Sequence, residues 1–427
     1  MASEPPVAPD FSRLPPETVV LLRRLGAIAG ERGTGVYLVG GLVRDLFLGV
    51  GNVDLDVCVA GDGPAFARRV ADALGGTVVV HDRFLTAAVA LPDRTLIDVA
   101  TARTETYERA GALPRVTPGP IEADLRRRDF TINAMALRLD PEAFGALLDP
   151  FGGAADIAAR KLRILHEKSF FDDPTRILRM SRFAARLGFK PEEGTRVRLA
   201  EALDARVFDF VSGDRVREEV FLGLNELEPA AVFATLADWG VLPVLLPGAE
   251  PGGDFAELEE LATRAIALCE KGPTWDPSAL RLLLLMRNAD PGRLAAAGRR
   301  LNLSPSSRVV LESGPRLREI ARAAEAAAKM SGVHRALRGL SLEVQLAALI
   351  LIGPEKARER VFSYLRGGRG LQAGLTGDDL IAMGYPQGPA LREMLEALVE
   401  ARLDGETKTR RDEERWVRAH FPPSASG

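Results

Sequence analysis

The chain has 427 residues, of which 46% are hydrophobic and 27% charged, and its 56 basic and 59 acidic residues leave a net charge of −3. This composition is typical of a globular protein and, at roughly 150 residues a domain, predicts two to four domains. No run reaches the roughly 20 apolar residues that span a bilayer, and the proline-rich N-terminus lacks the pattern of a signal peptide. Two cysteines and four scattered histidines argue against a disulfide framework or a zinc cluster. We therefore expect a cytoplasmic protein without a membrane segment.

Short β-rich runs dominate the first part of the chain, after an amphipathic helix predicted at 17–31. Gly, Asp and Pro separate the runs, a helical stretch is predicted at 64–74, and the runs fall at 36–39, 53–59, 77–80, 86–91, 96–100 and 131–139. Beyond residue 150, Leu, Ala and Arg predominate and the pattern becomes helical. The sequence predicts an α+β protein, with a mixed-sheet domain followed by an all-helical remainder.

The strand at 36–39 runs into Gly40 and Gly41 and then into a short helix that carries Arg44. Glycines let a backbone approach a ligand closely, and the free N–H groups of a helix N-terminus favour a phosphate. Arg44, one turn into the helix, can add a charge-assisted contact. A Gly-Gly turn alone is more often only structural, so a phosphate site depends on what lies beside it.

Asp54 and Asp56 follow on the next strand, where residues i and i+2 project from one face. Two carboxylates on a partly buried face repel each other unless a cation lies between them, and Mg²⁺ is a hard, oxygen-binding ion usually shared with substrate phosphates. A solvated edge strand is the alternative, but the neighbouring glycine turn favours the metal. Asp98 is either a third carboxylate or an ordinary strand-end aspartate. The predicted chemistry is nucleotidyl transfer, with Asp54, Asp56 and Asp98 catalytic and the first two binding Mg²⁺.

Three consecutive arginines, Arg126 to Arg128, directly precede Asp129 and the nearby Asn133. Such arginines can hold phosphates bidentately, and Asp129 or Asn133 can bond a ribose hydroxyl. The alternative interpretation is a solvated basic helix end.

A helix is predicted to follow Asp172, with Asp173 as N-cap and Pro174 at the first helical position. At about 100° per residue, Arg176 falls with Asp173 on the apolar face, and charge on that face needs a reason. The pair is either a structural i,i+3 ion pair or a pocket wall that offers acceptors and donors to a nucleobase; the helical wheel favours neither. A separate stripe either follows a nucleic-acid backbone or is a solvated face; it consists of Arg179, Arg182 and Arg186.

Taken in order, these segments resemble the bacterial class II tRNA nucleotidyltransferase family, which includes CCA-adding, CC-adding and A-adding enzymes and the related poly(A) polymerases. The matching motifs are Gly40-Gly41-Leu42-Val43-Arg44-Asp45, Asp54-Leu55-Asp56, Arg127-Arg128-Asp129 with Asn133-Ala134, Asp149-Pro150-Phe151-Gly152-Gly153, Asp172-Asp173-Pro174-Thr175-Arg176 and Asp214-Arg215 with Glu218-Glu219. The resemblance implies a nucleotidyltransferase sheet head (1–140), then a helical neck (141–225), body (226–310) and tRNA-binding tail (311–427).

The resemblance implies template-independent addition of C, C and A, from CTP and ATP, to the 3′ end of tRNA, with Mg²⁺ as cofactor and pyrophosphate as the leaving group. A CC-adding or A-adding specialist and a poly(A) polymerase are alternatives, and a catalytically silent RNA-binding relative is a further one. The segment 104–120 corresponds to the family's flexible loop, which assists the switch to ATP. No oligomeric state is predicted.

The implied nucleotide contacts fall into three groups. Gly40, Gly41 and Arg44 surround the triphosphate. Asp129 and Asn133 lie at the ribose, and Asp173 and Arg176 select the base. The remaining residues assigned to nucleotide binding are Arg128, Asp172 and Arg179, where Asp172 replaces the glutamate with which the base-reading motif usually begins.

Overall fold

The structure is a computed structural model of the chain, and it describes residues 9–30, 34–51, 53–81, 84–106, 108, 111, 114–269 and 275–422. The chain divides into two compact units, Met1–Val244 and Leu245–Gly427. The four-part division at residues 140, 225 and 310 stays a prediction. Within the described ranges, no helix is both long and apolar enough to cross a membrane.

A mixed β-sheet lies at the centre of the first unit. The strands of this unit are β1 (Gly35–Val39), β2 (Leu55–Ala60), β3 (Thr77–His81), β4 (Thr86–Ala90), β5 (Leu96–Thr101), β6 (Arg103–Thr106), β7 (Arg115–Pro118), β8 (Ala136–Arg138), β9 (Leu147–Leu148), β10 (Lys161–Leu162) and β11 (Lys190–Pro191). Seven of them form one sheet in the order β3-β4-β5-β2-β1-β8-β9. β2 and β5 run parallel while the other neighbours are antiparallel, so the predicted mixed sheet is confirmed.

Helices surround this sheet and continue beyond it. The helices of the first unit are α1 (Pro16–Gly30), α2 (Gly41–Leu48), α3 (Gly63–Leu74), α4 (Ile121–Arg126), α5 (Gly153–Ala158), α6 (Ser169–Asp172), α7 (Thr175–Leu187), α8 (Glu193–Asp204), α9 (Gly213–Leu224) and α10 (Pro229–Asp238), and α11 (Val241–Leu245) spans the division between the units. Apart from the short β10–β11 pair and an isolated bridge at Ile164, the described residues after 150 are helical and irregular, as predicted.

The parallel pairing of β2 with β5 places two acids side by side. Asp56 and Asp98 are register partners. Because alternate residues of a strand face opposite sides, the neighbours of these acids point into the core, and Leu55, Val57, Ile97 and Val99 are buried. The buried thiol of Cys58 follows on β2, and burial raises its pKa to about 12.

The strand predicted at 131–139 is only partly present. Thr131–Asn133 forms a 3₁₀ turn, and β8 starts at Ala136. The Thr131 hydroxyl donates to buried Asp156 at 2.7 Å, and the Asn133 amide bonds side chains on two sides. The side-chain hydrogen bonds of Thr131 and Asn133 are made from this compact turn. The apolar pattern alone predicts an extended strand at the same residues, because it does not account for hydrogen bonds of polar side chains.

The second unit is helical throughout its described elements. They are α12 (Phe255–Cys269), α13 (Pro277–Leu285), α14 (Pro291–Arg300), α15 (Pro305–Glu312), α16 (Gly314–Ala326), α17 (Met330–Leu337), α18 (Leu342–Leu351), α19 (Glu355–Ser363), a π-helical turn Tyr364–Gly368, α20 (Gly377–Ala382), α21 (Pro389–Leu403) and α22 (Arg410–His420). Its core includes a buried ion pair between Glu259 on α12 and Arg281 on α13, with Oε2 and Nε 3.1 Å apart. Burial raises the pKa of Glu259 to about 7, although Arg281 opposes this rise.

Candidate active site

A cavity of about 980 Å³ lies in the first unit. Its wall combines the turn after β1, the ends of β2 and β5, and side chains from α7 and α9. Of the predicted catalytic and nucleotide-binding residues, all except Asp172 line this cavity; they are Gly40, Gly41, Arg44, Asp54, Asp56, Asp98, Arg128, Asp129, Asn133, Asp173, Arg176 and Arg179.

Gly40 forms the turn between β1 and α2, with φ +77° and ψ −140°, a conformation that other residues rarely adopt. A Cβ added here would lie 3.1 Å from Asp56 Oδ2 and 3.4 Å from Arg128 Nη1. The turn therefore needs glycine both for its backbone and for the close approach of the acid and the arginine. Gly41 starts α2 beside the cavity, where backbone N–H groups at a helix N-terminus favour an anion.

Three carboxylates lie around the same part of the cavity. Asp56 and Asp98 are cross-strand neighbours, and Asp54 immediately precedes β2. Burial raises the pKa of Asp56, Arg128 opposes this, and Asp98 and Asp54 raise it further. A cation would relieve this crowding of like charges.

The donor set fits Mg²⁺. Among the described residues, no group of three or more His, Cys, Asp or Glu side chains is arranged as a complete metal site. Mg²⁺ does not require one, because it usually binds one or two carboxylates together with substrate phosphates and water. The carboxylates of Asp54 and Asp56, beside the arginine and the glycine turn, suit that mode of binding.

Asp124, which the sequence analysis overlooked, organises the arginine cluster. This fully buried carboxylate accepts from Arg127 at 3.0 and 2.8 Å and from Arg128 at 3.1 Å. Burial raises the pKa of Asp124, but the two arginines outweigh burial and hold that pKa below its usual value. The i,i+3 and i,i+4 spacing of these residues was a readable signal. Arg128 Nε is buried without a hydrogen-bond partner in the described part of the chain.

Asp129 and Asn133 are buried and bonded to each other, with Asn133 Nδ2 donating to Asp129 Oδ1 at 2.9 Å. Asn133 Oδ1 accepts from Arg44 Nη1 at 2.9 Å. Asp129 Oδ2 accepts from Arg179 Nε and Nη2 at 2.9 and 2.8 Å. Burial raises the pKa of Asp129, but Arg179 and the hydrogen bonds lower it below its usual value. The four side chains therefore form a continuous chain from α2 to α7.

Asp173 lies just before α7. Its Oδ1 accepts from the backbone N and Oγ1 of Thr175 at 3.0 and 2.6 Å and from Arg215 Nη2 at 2.7 Å. The N-cap of α7 is Pro174 and not the predicted Asp173, so the helix begins one residue later than predicted, at Thr175. Arg215 Nη1 also donates to the carbonyl oxygen of Gly111 at 2.9 Å. Gly111 belongs to the predicted flexible loop, whose described parts include the β6–β7 hairpin. Other loop positions lie outside the described residues; they are Tyr107, Arg109, Ala110, Ala112 and Leu113.

Arg176 is buried beside Asp173, on the cavity wall. Its Nη1 donates to Ser169 Oγ and its Nη2 to the carbonyl oxygen of Arg127, both at 2.7 Å. The i,i+3 ion pair with Asp173 is not the arrangement found, because the cation paired with Asp173 is Arg215. The other interpretation, a pocket wall with both side chains, agrees with this geometry.

Asp172 has different surroundings. Its Oδ2 lies 3.8 Å from His166 Nε2, and neither side chain is among the cavity lining. Burial raises the pKa of Asp172 and lowers that of His166. Of the two adjacent acids, it is Asp173 that forms part of the cavity wall.

Acidic side chains pair with the arginine stripe on α7, whose three members also line the cavity; its role toward a nucleic-acid backbone stays a prediction. Arg182 bonds Glu219 at 2.8 Å and Glu226 at 2.9 Å, and Arg186 bonds Glu226 at 2.6 Å. Arg179 Nη1 lies 3.7 Å from Glu219 Oε1. Acids on α9 and just after it therefore pair with the stripe. The sequence analysis did not foresee this role of Glu219 and Glu226.

Comparison with known proteins finds a related domain and related full-length enzymes. Residues 36–163 match the poly A polymerase head domain. An A-adding tRNA nucleotidyltransferase from Geobacter sulfurreducens is 37% identical over 94% of this chain, and the match covers 47% of that relative. The chain thus spans about half the length of this relative. A CC-adding tRNA nucleotidyltransferase from Deinococcus radiodurans is 32% identical over 96% of both proteins.

Solved structures give the same result. An apo CCA-adding enzyme has a TM-score of 0.81 and 34% identity, with 96% of this chain and 97% of that chain covered. The near-complete match to the Deinococcus relative, together with this structural similarity, shows that the chain belongs to the class II tRNA nucleotidyltransferase family.

Proposed function

We propose that this protein adds C, C and A to the 3′ end of tRNA, using CTP and ATP and releasing pyrophosphate, without a nucleic-acid template. The observation that carries the proposal is that these groups all line one cavity: three carboxylates, a glycine turn, and an acid and an arginine suited to reading a base. A reaction on tRNA also suits the predicted cytoplasmic location.

The triphosphate would lie between the glycine turn and two arginines. Arg44 is oriented by Asp45, which its Nε bonds at 2.9 Å, and by Asn133. Arg128 is held by Asp124 and lines the cavity. Guanidinium groups in fixed positions bind phosphate oxygens at little entropic cost, so these two residues would orient the reacting phosphate.

Asp173 and Arg176 would read the base. Cytosine and adenine both present an exocyclic amino donor beside a ring-nitrogen acceptor on their Watson–Crick edges. A carboxylate acceptor and a guanidinium donor can therefore serve both nucleotides. Arg176 uses one N–H for Ser169 and one for a carbonyl, and a guanidinium has five, so it retains donors for a base.

Asp54 and Asp56 would hold Mg²⁺, with Asp98 as a third carboxylate nearby. When bound, Mg²⁺ supplies activation of the tRNA 3′ hydroxyl and neutralisation of charge on the triphosphate. The chain itself contributes the oxygen ligands, the close approach of Asp56 to the turn at Gly40, and the arginines on the triphosphate side.

An A-adding specialist is the second candidate, because the A-adding relative matches 94% of this chain. A CC-adding specialist is a third, since that relative matches over the full length of both proteins. A poly(A) polymerase and a silent RNA-binding protein complete the alternatives.

Incubation with three tRNA substrates separates these functions. The tRNAs end before the first C, after CC, or after CCA, and each is incubated with Mg²⁺ and with labelled CTP or ATP, separately and together. CCA addition requires both nucleotides on the shortest substrate and no extension of the complete one. Addition of A to the CC end alone identifies an A-adding enzyme, and addition of C alone identifies a CC-adding one.

Two further outcomes exclude the addition of C, C or A to the tRNA 3′ end as the function. Homopolymeric A tails would identify a poly(A) polymerase. The absence of any incorporation by the intact protein would favour the silent module. Asp56→Asn is the inactive control, and Asp93→Asn, which changes an exposed turn acid outside the cavity, should leave incorporation within about twofold of the unaltered protein.

A further inference from the structure

The carboxylate of Asp129 is saturated with hydrogen bonds. Its Oδ1 accepts from the Phe130 backbone N at 2.8 Å and from Asn133 Nδ2 at 2.9 Å. Its Oδ2 accepts from Nε and Nη2 of Arg179 at 2.9 and 2.8 Å. A carboxylate offers about four lone-pair positions, so these four donors, two of them from Arg179, hold the Asp129 carboxylate in one orientation.

We propose that Arg179 is a positioning residue rather than a direct nucleotide contact. Acting through Asp129 and Asn133, it sets Arg44 relative to α7. The inference rests on the proposed function, because it concerns how one nucleotide is held at both its triphosphate and its base.

The chain of bonds runs from α7 to the glycine turn without a gap. Arg179 fixes Asp129, Asp129 fixes the Asn133 amide, and Asn133 Oδ1 receives Arg44 Nη1 at 2.9 Å. All the members of this chain except Arg179 are buried. Loss of a buried partner leaves a neighbouring polar group unsatisfied, so a change at Arg179 is transmitted to Arg44.

Phe183 closes the chain into a ring. The guanidinium carbon of Arg44 lies 5.2 Å from the Phe183 ring centroid, and that of Arg179 lies 5.9 Å from it. Phe183 and Arg179 are four residues apart on α7 and share one face of the helix. Arg44 is therefore connected to α7 in two ways, through the hydrogen bonds of Asn133 and Asp129 to Arg179 and through the ring of Phe183.

The same helix carries the base-reading pair at its start. Arg176 is three residues before Arg179, and Asp173, which lies two residues before the helix, accepts from the backbone N of Thr175 in its first turn. A nucleotide binds at full strength only when the spacing between the base-reading and triphosphate-binding groups matches its own length. Arg179 therefore influences the affinity for CTP and ATP alike.

A matched ion pair outside the cavity provides the control. Arg163 donates to Asp156 at 3.0 and 3.2 Å. The side chains of Arg163 and Asp156 are 42% and 7% exposed, against 39% and 8% for Arg179 and Asp129. Arg163→Gln and Arg179→Gln thus remove similar ion pairs. Of the two arginines, Arg179 is the one that the hydrogen bonds of Asp129 and Asn133 connect to Arg44.

The experiment compares the two variants by the KM values for CTP, ATP and tRNA, by kcat and by Tm. For Arg179→Gln, we expect the KM values for CTP and ATP to rise at least about tenfold, the effect of losing one charge-assisted bond. The KM for tRNA should stay within about twofold. Arg163→Gln should lower Tm by a similar amount but leave every KM within about twofold. Arg179→Lys, which keeps the charge but not the fork of donors, should fall in between.

A double variant tests the route. If Arg179 acts through Asn133, adding Asn133→Ala to Arg179→Gln should raise the nucleotide KM by less than about threefold, whereas independent effects multiply. The proposal would be overturned if the increases in nucleotide KM caused by Arg179→Gln and Asn133→Ala multiplied in the double variant. Equal nucleotide KM values in Arg179→Gln and Arg163→Gln would also overturn it. Calorimetric titration of CTP into each protein measures affinity without turnover. If the unaltered protein binds CTP but adds no nucleotide, the proposed function is refuted, and the role of Arg179 can still be tested by the CTP affinities. If the unaltered protein does not bind CTP, both the proposed function and the role of Arg179 are overturned.

Discussion

Replacing Gly40 with alanine tests whether the turn between β1 and α2 positions the carboxylate of Asp56, a proposed Mg²⁺ ligand. At φ +77° and ψ −140°, an alanine is strained by about 1–3 kcal/mol. Its Cβ would lie 3.1 Å from Asp56 Oδ2, so the carboxylate has to move. We expect the free energy of unfolding to fall by about 2 kcal/mol. Nucleotide incorporation should fall about 10-fold, because the carboxylate has to give way by a few tenths of an ångström, which is less than the misplacement of about 1 Å that costs about 100-fold.

Gly49→Ala is the matched control, because Gly49 ends the same helix at φ +68° and ψ 24°, with nothing within 4 Å of an added Cβ. The left-handed conformation destabilises the folded alanine variant by about 1–2 kcal/mol. The lower conformational entropy of alanine in the unfolded chain offsets roughly 0.4–1 kcal/mol of this loss. Urea denaturation measures the stability of both variants, and incorporation of labelled CTP or ATP into tRNA measures their activity. Equal activity losses in the two variants would refute the link between Gly40 and Asp56.

Three further predictions concern single side chains. Asp54→Ala should abolish nucleotide transfer while tRNA affinity in a filter-binding assay stays within about twofold; an active variant would remove the carboxylate argument. Arg176→Ala should blur the choice between CTP and ATP in a competition assay more than it lowers tRNA affinity, and unchanged discrimination would contradict the pocket-wall interpretation. For Glu259, a pKa raised to about 7 means that the folded protein holds this proton more tightly than the unfolded one, so the free energy of unfolding falls as pH rises from 5 to 8. Urea denaturation should show that Glu259→Gln lacks this fall of roughly 2–3 kcal/mol, and an identical pH dependence in both proteins would contradict the assigned burial effect.

The local parts of the site were predictable from the sequence. Runs of β-branched residues between Gly and Asp indicate the strands that bear Asp56 and Asp98, because the alternation of a strand is a local property. The glycine turn at Gly40 also has a local signature, since few other residues fit its backbone. The motif resemblance then named most of the side chains that line the cavity.

The partners of those side chains were not predictable. Asp129 and Arg179 are 50 positions apart, and no periodicity connects residues at that separation. The charge stripe on α7 gave no indication that Glu219 and Glu226 would pair with it, because these acids come from α9 and the turn after it. A helical wheel gives the direction of a side chain but not the element that packs against it. For the same reason, the wheel left open whether Asp173 and Arg176 form an ion pair or a pocket wall, and it gave no indication that Arg215 pairs with Asp173.

The thiol of Cys58 provides a chemical reporter two residues from Asp56. A pKa of about 12 instead of 9.0 makes the reactive thiolate roughly 1,000-fold scarcer at neutral pH. An alkylating reagent therefore modifies this sulfur mainly when β2 parts from its neighbours. The rate at which Cys58 is alkylated therefore reports how often β2 separates from its neighbouring strands. A ligand that stabilises the pairing of β2 should lower this rate.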